Sequence, residues 1–187
     1  MRTAHVILAA VAALALVVGP ASAAPPEKPA ASHAGYVDGA AFRALIDSDK
    51  DIVEISLEGP TLRALCNKKD EDVEERELYC QLKAIHAVIG SVRGPAASAL
   101  TLVQQTDQKL VAAGWQRMTR IKDETSSISV LTHVSGDQID GLVALIFDSE
   151  DKELVFANLA GAIDLNRLGE IGDRFDVPGL DHIPGAR

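Results

Sequence analysis

Apolar and polar residues alternate strictly over residues 53–58. Val53, Ile55 and Leu57 fall on one side of an extended chain and Glu54, Ser56 and Glu58 on the other, the pattern of a strand buried on one face. Upstream, Phe42, Leu45 and Ile46 form the stripe of a short helix that Asp38 can cap. Gly59-Pro60 ends the strand and opens a helix with proline at its first position, carrying Leu62, Leu65 and Cys66 on one side. Residues 82–89 return to strand character. Residues 98–113 read as a helix with Leu102, Val103, Thr106, Leu110 and Ala113 on one side and Gly114 as its stop. Four strands follow, at 115–121, 128–134, 139–147 and 153–162, separated by the polar turns DETSS, SGDQ and DSEDK. Turns this short imply antiparallel hairpins. The run 139–147 is apolar on both faces and is expected at the centre. Asp164 is placed to cap a last helix bearing Leu165, Leu168, Ile171 and Phe175. The expected fold is α+β: a mostly antiparallel sheet with a C-terminal four-strand meander and helices packed on one face.

The first 23 residues read as an export signal. Arg2 precedes an apolar run over 6–18, Gly19-Pro20 breaks it, and Ala21-Ser22-Ala23 supplies a cleavage site. The run is shorter than the roughly 18 residues a membrane span needs, and no cysteine follows it to take a lipid. Cleavage after Ala23 is expected to release a periplasmic or secreted protein that is not a lipoprotein and has no stable membrane insertion. A Pro/Ala-rich leader over 24–35, a single domain over 36–175 and a loose tail over 176–187 complete the organisation. Cys66 and Cys80, the two cysteines, are expected to form a disulfide, because export places them where bridges persist. Two separate buried thiols and a redox pair are the alternatives, the latter disfavoured by a spacing far from C-x-x-C.

Composition narrows the function. The 187 residues are 47% hydrophobic and 24% charged, which excludes a disordered chain and a collagen-like repeat. A net charge of −9 disfavours a nucleic-acid partner, and aromatics at 4% leave few stacking platforms. The segment KKDEDVEERE between the cysteines reads first as a solvated loop or helix face and second as a cation-binding or docking stretch.

Candidate chemistry is sparse. Asp47, Asp49, Asp51 and Glu58 match positions 1, 3, 5 and 12 of a calcium loop, but Ile52 stands where a glycine must turn. An acidic turn into a strand is the favoured reading. His33, His86, His133 and His182 have no ligand-like spacing; His86 and His133 could approach each other from strands, yet two ligands are too few for zinc. Nothing in the sequence places Asp140 and Asp164 together as a carboxylate pair. Signatures for a serine nucleophile or a phosphate loop are absent, and the GEIG of the last helix is too weak to indicate RNA binding. No catalytic residue, metal ligand or cofactor site is therefore assigned.

Three stretches carry a resemblance: VEISLEGPTLRAL (53–65), AAGWQRMTRIKD (112–123) and VFANLAGAIDLNRLGEIGDRF (155–175). Together they resemble the bacterial domain-of-unknown-function family numbered 4252, over about 36–175. The resemblance implies an exported envelope protein of no established activity, supplies no catalytic residues, and does not account for the charged insert holding Cys66 and Cys80. Unlike the family's lipoprotein members, this chain lacks an anchoring cysteine. Members are often encoded near envelope-stress sigma-factor systems, so the resemblance also implies a regulatory role. The expected function is a non-catalytic exported domain that binds another envelope component, a protein first. The alternative is a hydrolase or metal-dependent enzyme assembled from distant residues. A cleft gathering Asp, Glu and His from separate strands would favour that alternative.

Overall fold

The computed structural model describes residues 33–68 and 73–164. Ten elements follow in chain order: α1 (Ala40–Arg43), β1 (Ile52–Glu58), α2 (Gly59–Cys66), α3 (Val73–Gln81), β2 (Leu82–Ser91), α4 (Ala96–Ala112), β3 (Gln116–Lys122), β4 (Ser126–Ser135), β5 (Gln138–Asp148) and β6 (Glu153–Ile163). The strands form one sheet in the order β1-β2-β6-β5-β4-β3, and every neighbouring pair is antiparallel. The expected α+β architecture and its C-terminal meander are both present, with β5 and β6 central. The export segment 1–23, the leader before His33, the helix expected from Leu165 onward and the tail 176–187 lie outside the described residues.

The meander is set by its turns. In the β3–β4 turn the Asp123 carboxylate accepts from the backbone N–H of Thr125 and Ser126; in the β5–β6 turn Asp148 does the same for Glu150 and Asp151. Such side-chain-to-backbone bonds satisfy donors that a tight reversal would otherwise orphan.

Both faces of the sheet are apolar, as the double-sided run in β5 requires. On one face α1 and α4 cover a core of Val88, Leu131, Val143, Leu145, Phe147, Leu154 and Phe156. Phe42 of α1 stacks on Phe156 with ring centroids 4.8 Å apart. Burying an aromatic side chain of this kind contributes about 1.5–3 kcal/mol. The other face runs in cross-strand rows through all six strands. One row is Val53, Ile89, Val155, Ile146, Ile128 and Ile121; the next is Ile55, Ala87, Ala157, Ala144, Val130 and Thr119.

Three local outcomes differ from the sequence pattern or add to it. The buried side of α4 is Ala99, Val103, Asp107 and Leu110, whereas Leu102 and Thr106 are half-buried and Ala113 is exposed. The stripe is rotated because a charged residue, Asp107, occupies it with partners of its own. Part of the charged segment is helical, as α3. Finally, Gly35 is buried against Gly141: a Cβ on Gly35 would run into the Asp140 carbonyl oxygen, so only glycine fits. Asn158 of β6, fully buried, fixes this approach. Its Nδ2 donates to the Gly35 and Leu142 carbonyls, and its Oδ1 accepts from the Val37 N–H.

Candidate functional site

At the β1 end, strand register gathers polar groups that are distant in the sequence. Ser56 pairs directly across from His86, and Glu58, two residues along β1, shares their face because side chains alternate with period two. Ser56 Oγ lies 3.4 Å from His86 Nδ1, and Glu58 Oε1 lies 2.8 Å from Nε2. That oxygen sits off the line of a hydrogen bond, so buried Nε2 has no aligned partner. The serine hydroxyl and the carboxylate thus flank opposite nitrogens of one imidazole. Tyr36 meets the ring edge-on, centroids 5.3 Å apart. Burial, then the charges of Asp38 and Glu58, push the Tyr36 hydroxyl pKa up. Ser56 itself is exposed on the outermost strand.

Toward the other end, His133 of β4 pairs through Nδ1 with Asp140 of β5, and the Trp115 ring lies 5.4 Å from the imidazole. Both partners are half-buried. Asp140 is thus held by His133. His86 and His133 do not meet: β6 and β5 separate their strands, a gap of about 14 Å at normal strand spacing.

Beneath α4 lies the most buried charge among the described residues. Asp107, 3% exposed, takes Arg117 Nε at 2.9 Å on one oxygen and Arg117 Nη2 on the other. Ser129 Oγ donates to it as well. Burial alone would raise the Asp107 pKa, but hydrogen bonds from Arg117 and Ser129, with the charges of Arg117 and Arg120, outweigh it and hold the carboxyl below its ordinary value. The same bond to Asp107 raises the Arg117 pKa. These ties join α4, β3 and β4, and their chemistry is that of a structural clamp.

The acidic run before β1 is a turn. Asp47 Oδ1 accepts from the Asp49 N–H at 3.3 Å, and Arg93 approaches Asp47 and Asp49 at 3.3 and 3.8 Å. Glu58 stands at the far end of a seven-residue strand, about 20 Å further on at 3.3 Å per residue. The four carboxylates therefore do not converge, and among the described residues no group of three or more metal-ligating side chains gathers. His33 is described but joins none of these clusters; His182 lies outside the described residues.

Cys66 closes α2 and Cys80 lies in the last turn of α3. Their sulfurs are at bonding distance with Cα atoms 4.8 Å apart, consistent with the expected bridge. Sequence reasoning missed Asp107, Asn158 and the Ser56–His86–Glu58 cluster. The signal for the first two was a lone polar residue inside an otherwise apolar stripe or strand; the third needed the β1–β2 register. Among the described residues no helix is long and apolar enough to cross a membrane.

Residues 46–171 match the family model described as a domain of unknown function (DUF4252). No curated protein and no solved structure matches the chain.

Proposed function

The chain belongs to the domain of unknown function (DUF4252) family, and from that premise we propose that it is an exported, non-catalytic envelope domain that binds another envelope protein along an open edge of its sheet. The observation that carries this reading is β1. It is the outermost strand, and among the described residues nothing pairs with its outer side, so a row of backbone donors and acceptors faces outward. Val53, Ile55 and Leu57 stand half-buried beside that row. An extended segment added there gains main-chain hydrogen bonds for affinity and alternate side-chain contacts for specificity. The Cys66–Cys80 bridge supports an oxidising compartment, hence export. A regulatory role in envelope stress would use the same edge, since strand addition is reversible.

Affinity capture from envelope extracts tests the reading, with Ile55→Asp as the control variant after its melting curve has been checked. An envelope protein recovered by the wild type and lost with Ile55→Asp is expected. Identical recovery by both chains would count against the edge.

One observation favours a second reading, a hydrolase: Ser56, His86 and Glu58 stand in the order nucleophile, base and carboxylate. A fluorophosphonate probe discriminates. No labelling is expected on the leading proposal; covalent label on Ser56 that disappears in His86→Ala would reverse the ranking.

A further inference from the structure

Resting on the edge-binding reading, we propose that one occupant of β1 is strand β3 of a second copy of this chain. The strands at the two ends of the sheet match in length, seven residues each. In a six-stranded, fully antiparallel sheet the two outermost strands run in opposite directions. A second copy displaced sideways along the sheet therefore sets its β3 antiparallel to β1, continuing the alternation without a break.

The side chains match as well. Glu54 shares a face with Val88 and Phe156, the face that α1 and α4 cover. Arg120 pairs with Ser129, which pairs with Leu145, and so lies on that same face. Setting Glu54 opposite Arg120 brings Val53 against Ile121 and Ile55 against Thr119 on the other face. Ile121 is 41% exposed, unusual for a large apolar side chain here, and this pairing would cover it. The apolar row from Val53 to Ile121 would then run on into Val53 of the next copy. The matched stretch ends where the β3 register shifts between Arg117 and Thr119. Arg43 Nε holds one Glu54 oxygen at 2.8 Å, which positions the carboxylate at the edge.

Because the two edges differ, the contact is heterologous and, repeated without closing, builds a rod. A chain net charge of −9 opposes close approach of copies, so the Glu54–Arg120 pair acts mainly through register and choice of partner.

Sedimentation velocity on the oxidised chain over a wide concentration range tests this. The wild type should sediment faster as concentration rises. Glu54→Lys and Arg120→Glu each set like charges opposite one another and should weaken association about ten-fold or more. Mixing the two variants restores opposite charges at both edges and should restore association. Cross-linking gives an arm independent of those substitutions: Val53→Cys mixed with Ile121→Cys should form a disulfide-linked dimer that neither chain forms alone. A chain of monomer mass throughout, association that the charge variants leave unchanged, or no dimer in the mixture would each overturn the proposal. A monomeric chain that still captures an envelope protein in an Ile55-dependent way overturns this inference alone; loss of capture as well overturns the edge reading too.

Discussion

The two ends of the sheet are fastened by different means. At the β3 end, α4 offers Val103 and Leu110 to the core, and a buried carboxylate ties it to β3 and β4 through Arg117 and Ser129. At the β1 end, α2 and α3 are short, and α3 is dominated by charge (VEERELYCQ). It has little apolar surface to bury, so a covalent link from Cys80 to Cys66 substitutes for packing. A helix with an apolar face can afford a polar clamp, because hydrophobic burial supplies the bulk of its stability; a charged helix needs its unfolded alternatives restricted instead.

Removing each fastener separates the two cases. Asp107→Ala should have the largest effect. It strips the buried partner from Arg117 and Ser129, and a cost of about 3 kcal/mol is expected, the low end for a broken buried pair because Arg117 still reaches solvent. Urea unfolding measures it, and a loss under about 1 kcal/mol would mean that the clamp holds little. Cys66→Ser should cost somewhat less or the same, up to about 3 kcal/mol for a loop closed 14 positions apart. Its signature is local: proteolysis should begin between positions 66 and 80, whereas cleavage first in the meander would contradict the assignment.

Acid sharpens the comparison further. The Asp107 carboxyl is held below its ordinary 3.8 in the folded chain, so its ionised form stabilises the fold fully above that value and the contribution is lost as pH falls through the lower, folded-state pKa. The gap in stability between wild type and Asp107→Asn should stay constant from neutral pH to about 4 and narrow below it. A gap that widens on acidification would reverse the sign. Asn158→Leu is expected to cost about 1–3 kcal/mol, since it leaves the Gly35 carbonyl and Val37 N–H without their partner. Chemical denaturation of that variant checks the figure. The smallest effect on monomer stability belongs to Glu54→Lys, within about 1 kcal/mol because the Arg43 pair it breaks is exposed, although the same change should decide association.

Much of the fold was legible because burial writes itself into period. The alternation at Val53, Ile55 and Leu57 located β1, and the polar turns located the meander. Where apolar residues do not mark the buried side, the pattern falls silent. Asp107 occupies the inner stripe of α4 only because Arg117, ten positions on, and Ser129, on another strand, neutralise and bond it; the stripe read from the sequence has Val103 and Leu110 on the buried side but passes over Asp107 and adds Leu102 and Thr106. Helix α3 carries no such stripe, so its charges pointed equally to loop or helix. The histidines were visible as residues but their partners were not, since Ser56 and Asp140 reach them through strand register, which no local spacing encodes.

Hydrogen exchange at the two outer strands of the oxidised chain tests the edge account most directly, read amide by amide as protein concentration rises. Outward-facing amides of residues 52–55 and 119–122, the stretch that the register matches, should gain protection together, with Glu54→Lys abolishing the gain and the central strands β5 and β6 unchanged. Edge amides whose exchange is the same at every concentration would contradict it.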